Sequence, residues 1–374
     1  MNFETLPFWV YIVGFLLMLG PLVVLHELGH YLVGRWFGVG AEAFSVGFGK
    51  EVAGFTDKRG TRWKLSMLPI GGYVQFKGDM NPASVPDPDT PAAPDTFQSK
   101  PLWQRALIVA AGPVANVIVA VAIFAAFFMV FGKPVASDPL QESTVAAFAE
   151  QSPAREAGIE VGDRIVAIEG EEMGSFREVQ QAIWLYPNRE LDITVERDGS
   201  QITIPVTTRA EEITDQFGNA STIGLIGVEG RPSERIFEAV GPITAVGLAW
   251  EQCVDTVDMM ITGIGQIFAG ERSVEELGGP ITIAKVSGEQ LSLGWLEFAS
   301  FAALISLNLA FINLLPIPAL DGGHLAFYAV EAIRRKPASP RSQEWAFRTG
   351  MALVLALMLF VTIIDIAKLP IFGS

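Results

Sequence analysis

Four stretches of the chain stay apolar long enough to cross a hydrocarbon layer of about 30 Å, which takes roughly 20 helical residues. They run from about Phe8 to Gly34, Ala106 to Phe131, Phe298 to Val330 and Ala346 to Ala367. The third contains Pro316 and Pro318. Proline lacks a backbone N–H and clashes with the preceding turn, so a helix break is expected there. A fifth stretch, Pro242 to Phe268, carries Glu251, Asp255 and Asp258 at helical spacing on one face. It reads as an amphipathic helix on the outer membrane surface, with a true span as the weaker alternative.

Elsewhere the pattern changes. Ala53 to Phe76 alternates and contains Gly71-Gly72, which predicts a small β-sheet close to the membrane. Met80 to Pro101 is rich in Pro, Asp, Ala and Ser without apolar periodicity, and is expected to be a flexible loop. From about Lys133 to Glu238 the chain has the character of a soluble domain. Arg164–Glu169, Leu191–Glu196 and Gln201–Val206 read as strands, and Phe176 to Trp184 as a short helix. Arg197-Asp198-Gly199-Ser200 is a hairpin turn signal.

Composition agrees with the pattern: 50% of residues are hydrophobic and 18% charged, against about 25% charged in soluble domains. A net charge of −15 argues against a nucleic-acid partner; the lipid bilayer is the expected one. The one cysteine, Cys253, permits neither an internal disulfide nor a thiolate metal site. Met1 to Pro7 carries Glu4 and no Lys or Arg, so the first apolar segment is expected to be retained rather than removed as a signal peptide. Basic residues gather between the first two spans (Arg35, Lys50, Lys58, Arg59, Arg62 and Lys64 among them) and again at Arg334-Arg335-Lys336. The positive-inside rule puts both stretches in the cytoplasm, and the N-terminus, the middle domain and the C-terminus outside.

The chemistry lies in His26-Glu27-Leu28-Gly29-His30. Spacing i, i+4 puts both imidazoles on one helix face, close enough to share a metal, with Glu27 beside them to take a proton from a water on that metal. The chain has three histidines, and His324, the third, stands in Leu320-Asp321-Gly322-Gly323-His324. A catalytic zinc needs three protein ligands and an open position. Asp321 is the natural third ligand, since a carboxylate at membrane depth needs a counter-charge; a plain helix N-cap is its bland alternative. Depth agrees: His26 lies about 18 residues, roughly 27 Å, into a span running inward. Asp321 lies about 23 residues into another span running the same way.

With Gly112-Pro113-Val114-Ala115-Asn116 in the second span and Asn313-Leu314-Leu315-Pro316-Ile317-Pro318 before Asp321, the chain resembles the site-2 protease family of intramembrane zinc metalloproteases, bacterial RseP type. The middle domain resembles a PDZ domain at Ser152–Ile159 and Gly162–Ile168, in one clear copy where such relatives often have two. The resemblance implies a mainly α polytopic membrane protein with four transmembrane helices, a β-rich PDZ-like extracytoplasmic domain and a small membrane-proximal β-hairpin sheet. The expected division has the first transmembrane helix at 1–36, a cytoplasmic loop at 37–104, the second transmembrane helix at 105–132 and the PDZ-like domain at 133–235. An amphipathic surface region at 236–297 follows, then the third transmembrane segment at 298–333, a cytoplasmic loop at 334–345 and the fourth transmembrane helix from 346 to 374.

The resemblance further implies that His26, His30 and Asp321 bind Zn²⁺ and that Glu27 is the catalytic base. Asn313 is expected to hold substrate backbone, or to cap the broken helix. Gly71 and Gly72 belong to a hairpin whose edge adds the unwound substrate as a strand, or form an ordinary turn. Asn116 and His324 are candidates for a place behind the metal ligands, with a structural role open for His324. The expected function is cleavage within transmembrane segments of single-span proteins: an anti-sigma factor already trimmed outside, or remnant signal peptides. The expected place is the bacterial inner membrane. The PDZ-like domain either binds peptide or excludes bulky substrates. A protease-dead scaffold and a zinc-dependent transporter are the competing classes, and the complete set of ligands and base speaks against the first.

Overall fold

The computed structural model describes residues 6–78, 93–136, 143–214, 220–230, 235–270, 274, 278–336 and 339–367. In chain order, helix α1 (Phe8–Trp36) is followed by β1 (Ala41–Thr56), β2 (Arg62–Phe76) and helix α2 (Leu102–Phe131). The next elements are β3 (Lys133–Ala136), β4 (Val145–Phe148), α3 (Pro153–Ala157), β5 (Arg164–Ile168), β6 (Glu171–Glu172) and α4 (Phe176–Trp184). Then come β7 (Glu190–Arg197), β8 (Ser200–Thr207), β9 (Arg209–Thr214), β10 (Ala220–Leu225), β11 (Val228–Gly230) and β12 (Arg235–Glu238). Five helices close the chain: α5 (Pro242–Ala269), α6 (Pro280–Leu293), α7 (Trp295–Leu314), α8 (Asp321–Arg334) and α9 (Pro340–Ala367). Among the described residues, four helices are long and apolar enough to cross a membrane: Phe8–Trp36, Leu102–Phe131, Trp295–Leu314 and Ser342–Ala367.

The chain divides into two compact units, one of 6–125, 246–258 and 273–374, the other of 126–245 and 259–272. In the first, α1 is the central helix. Its N-terminal half packs on α6 by backbone approach. A Cβ on Gly14 would lie 2.8 Å from the backbone of Ser287 and Gly288, and one on Gly288 would lie 2.6 Å from the Tyr11 ring. Small residues let apolar helices come this close, and dispersion over the contact holds them. The Ser287 hydroxyl donates to Ile283 O at 2.6 Å, which satisfies it inside the contact. Asp365, buried on α9, caps the other end of this arrangement. Its carboxylate accepts from the N–H groups of Gly279, Ile281 and Thr282 and from the Thr282 hydroxyl, at 2.6–3.0 Å. Those amides are the orphan donors of the first turn of α6, and a carboxylate there also meets the positive end of the helix dipole.

β1 and β2 form a larger hairpin than the alternation from Ala53 suggested, because its first strand starts at Ala41. Ala41–Val46 pairs with Gly72–Phe76, and Glu51–Thr56 pairs with Arg62–Ser66. The start of β1 also runs beside Arg62–Leu65, so the hairpin folds back on itself into a curled sheet. The turn is at Asp57–Thr61, whose Asp57 carboxylate accepts from Arg59 N, Thr61 N, the Trp63 indole and the Tyr31 hydroxyl. Gly71 and Gly72 therefore lie within β2, not at a turn. Of the expected flexible loop, 80–92 lies outside the described residues. The rest corrects the expectation: Phe97 is buried and stacks on Phe76, and Lys77 pairs with Asp95 at 2.7 Å. One aromatic side chain supplies enough apolar area to order a segment whose composition is otherwise that of a loop.

The other unit is built around a four-stranded antiparallel sheet in the order β6-β5-β7-β8. The hairpin turn falls where the sequence put it: Asp198 (φ 51°) and Gly199 (φ 76°) occupy the left-handed region that such a turn demands. Helix α4 spans Phe176–Trp184 as expected, capped by Ser175 Oγ, which accepts from Glu178 N. The core joins Val145, Ile165, Leu191, Ile193, Val195 and Val206, inward positions of the alternating strands, with Val179 of α4 and Ile159 from the segment before β5. Buried Asp163 accepts two hydrogen bonds from Arg197, at 2.7 and 2.6 Å, and one from Glu160 N. Burial pushes this carboxyl up, but the hydrogen bonds from Arg197 and Glu160 N and the guanidinium charge together hold it below its ordinary 3.8.

Asp365→Ala removes the shared cap of α6 and is expected to cost about 1–3 kcal/mol, read as a lower melting temperature of the detergent-solubilised protein and faster amide exchange in the first turn of α6. The Asp163–Arg197 contribution is complete above the unfolded carboxyl value of 3.8 and disappears as pH falls through the lower folded value. Amide protection in β5 and β7 is therefore expected to hold at pH 5 and to fall only below about pH 4, whereas Arg197→Met weakens it already at neutral pH.

Candidate metal centre

Three side chains from two helices converge inside the first unit. His26 and His30 stand one turn apart on α1, and Asp321 is the first residue of α8. His26 Nε2 lies 3.2 Å from His30 Nε2 and 3.2 Å from Asp321 Oδ2, and His30 Nε2 lies 3.5 Å from the same oxygen. The rings meet edge to face with centroids 4.8 Å apart. Among the described residues this is the group of His, Cys, Asp and Glu side chains able to share a metal ion.

The triangle has the size of a zinc site. Ligand atoms about 2.0–2.1 Å from zinc at tetrahedral angles stand about 3.3–3.4 Å apart. The donors, two imidazoles and a carboxylate, are those of catalytic zinc. Asp321 Oδ2 is buried yet has no hydrogen-bond partner among the described residues, despite its nearness to both rings. An orphaned buried carboxylate oxygen is costly, and a cation at the centre of the triangle removes the cost.

Each arm is placed by a close backbone approach. A Cβ on Gly29 would run into the Ala111 carbonyl, so α1 and α2 touch beside the histidines. A Cβ on Gly112 would occupy the space of the His30 ring and come within 2.8 Å of His26 Cε1. On the far side of His30, Nδ1 donates to the Ile108 carbonyl at 2.9 Å. Asp321 is delivered by the proline break: α7 ends at Leu314, Leu315 is extended, Ala319 takes a positive φ of 88°, and α8 starts at Asp321. The expected third segment is thus two helices. Gly322 and Gly323 sit where any Cβ would overlap the carbonyls of Leu314, Leu315 and Ile317, and Gly350 on α9 lies equally tight on the Pro318 carbonyl.

The other expected residues fall around this centre. Glu27 lies against β2: a Cβ on Gly72 would stand 3.2 Å from its Cγ, and the Val74 amide hydrogen-bonds it. Gly71 has a φ of 116° with the Phe48 ring packed where a Cβ would be, so both glycines admit close neighbours. Asn116 is fully buried, with its amide 3.3 Å from His26 Nδ1. Asn313 is on the last turn of α7 and outside the triad. His324 is also outside it and lines a cleft with Arg105, Gly323, Tyr328 and Glu331. Sequence reasoning missed the Ile108 carbonyl, Gly350, and Ser306, whose hydroxyl donates to Asn116 O at 2.8 Å. A glycine and an asparagine four residues apart on an apolar span were the signal for the α2 face; nothing in the sequence marked Gly350.

The profile of peptidase family M50 matches residues 14–357. The chain belongs to this family. It is 43% identical over 96% of both chains to the Agrobacterium fabrum protein named "Putative zinc metalloprotease Atu1380". It is 34% identical to Metalloprotease MmpA of Caulobacter vibrioides, over 98% of this chain and 97% of that one. This M50 peptidase is a zinc metalloprotease, and its four apolar helices make it a multi-pass membrane protein.

Gly112→Ala tests the cradle. Alanine is the better helix former, so α2 should persist. The added methyl takes the place of the His30 ring, and bound zinc is expected to fall from about one per chain to well below it, measured by metal analysis of the purified protein.

Proposed function

We propose that this chain is an intramembrane endopeptidase in which His26, His30 and Asp321 hold zinc, Glu27 is the base, and the substrates are membrane-spanning segments of single-span proteins. The observation that carries the reading is the triangle of two imidazole nitrogens and one carboxylate oxygen, with Glu27 one residue along α1 from His26. Zinc bound there supplies a Lewis acid that acidifies a water and polarises the scissile carbonyl.

The chain's own groups do the rest. Glu27 takes the proton of the attacking water and returns it to the leaving amide nitrogen. A helical amide is shielded by its own hydrogen bond, so the substrate must unwind first, and weak helix formers in its span favour this. Strand β2, lying against Glu27, offers a backbone edge to which an unwound segment can add, with Gly71 and Gly72 keeping that approach free of side chains. Asn313, just before the break, holds substrate backbone through its amide. His324 lines an adjoining cleft rather than the triad, which suits a role behind the ligands.

Water must reach the site, and the depth of His26 and Asp321 along inward-running spans supports a cavity open to the cytoplasm. The basic residues between the first two spans and at Arg334–Lys336 place those segments on that side, with both termini and the 133–235 domain in the periplasm of a bacterial inner membrane. That domain, with its single PDZ-like pattern, binds peptide or screens out bulky substrates. A span trimmed outside by an earlier cut, as in an anti-sigma factor, or a remnant signal peptide fits such a screen.

Glu27→Gln is expected to bind zinc as the wild type does and to lose about 10²–10⁴-fold in the rate of cleavage of a single-span substrate in detergent or liposomes. Wild-type turnover by this variant would remove Glu27 from the mechanism.

A further inference from the structure

We infer that Asn116 is a positioning residue that sets the tautomer of His26, and that it acts through the oxygen of its amide rather than the nitrogen. The inference rests on the metal reading above. Asn116 is completely buried on α2. Its Nδ2 lies 3.3 Å from His26 Nδ1, while its Oδ1, also buried, meets no donor among the described residues.

His30 sets the pattern. Its Nδ1 lies 2.9 Å from the Ile108 carbonyl, and a carbonyl only accepts, so the His30 proton is on Nδ1. That leaves the lone pair of Nε2 facing Asp321. His26 Nε2 faces the same point, 3.2 Å from His30 Nε2 and from Asp321 Oδ2. To hold a shared cation it must present a lone pair there. A neutral imidazole carries one proton, so the His26 proton then sits on Nδ1 and points at Asn116.

An amide NH₂ cannot receive it, because two donors would face each other. A half-turn about the terminal bond of Asn116 exchanges the two amide atoms at almost no change in shape. The oxygen then accepts from His26 Nδ1–H, and the nitrogen takes the position where the oxygen met no donor. Metal-binding histidines commonly donate their second N–H to a carbonyl or carboxylate in this way, which fixes the ring and raises its basicity. Helix α2 thus supplies both acceptors, a backbone carbonyl for His30 and a side-chain oxygen for His26. The Ser306 hydroxyl, donating to Asn116 O, ties this turn of α2 to α7.

The test is zinc affinity of the purified full-length protein by chelator competition, with the melting temperature of the metal-free form measured alongside. Asn116→Ala, and Asn116→Leu should the alanine variant not fold, are expected to bind zinc about 10–100-fold more weakly. Asn116→Asp keeps an acceptor and loses the donor, so it is expected to hold zinc at least as tightly as wild type to within about threefold. Metal-free melting of Asn116→Ala within a few degrees of wild type separates ligand positioning from loss of fold. Wild-type affinity in Asn116→Ala, or equal weakening in Asn116→Ala and Asn116→Asp, would overturn the proposal. Asp321→Ala runs as the control. If it loses zinc while Asn116→Ala does not, the proposal alone fails; if it keeps zinc, the metal reading fails too.

Discussion

Two imidazoles can press this close to a neighbouring apolar helix only where that helix presents no side chain. Gly112 provides the gap: a methyl there would share the space of the His30 ring and press on His26. Gly29 does the same in the other direction, admitting the Ala111 carbonyl to α1. With α1 and α2 this close, the Ile108 carbonyl and the Asn116 amide reach the outer nitrogens of the two rings, at 2.9 and 3.3 Å. Both rings then turn their Nε2 atoms to one point. Each polar group so buried would cost energy alone, and the contact is favourable only because the partners arrive together.

The carboxylate arm depends on a different device. Pro316 and Pro318 end α7, and α8 begins again at Asp321 with its glycines folded under the carbonyls of the break. A continuous helix would carry Asp321 past the histidines; the break instead sets the carboxylate at a fresh helix start. Gly350 presses α9 on Pro318 from outside, so the last helix braces the segment that carries Asp321. The same helix caps α6 through Asp365, and α6 lies along α1. Helices α6 and α9 thus brace the segments that carry the three converging side chains.

The hairpin closes the third side. Asp57 ties its turn to Tyr31, the residue after His30, and the rings of Tyr31, Phe44 and Trp63 pack around that tie. Strand β2 then passes Glu27 with Gly72 toward it. In the role proposed for Glu27, a neighbouring strand edge suits work on an extended peptide, whose own amides need partners once it leaves the helix.

How much of this was legible in the sequence follows from the range of each interaction. The i, i+4 histidines, the adjacent glutamate, the apolar spans, the Asp198-Gly199 turn and the helix at Phe176–Trp184 are all set by residues within a few positions of one another, so local pattern determined them. Asp321 could be named because a carboxylate beside a proline break at membrane depth has few other uses. The size of the hairpin, the burial of Phe97, the tightness at Gly350 and the acceptors at Ile108 and Asn116 join residues far apart in the chain. Only the tertiary structure decided those, because a backbone carbonyl carries no letter in the sequence and a glycine shows its purpose only once a neighbour occupies the space where its side chain would have been.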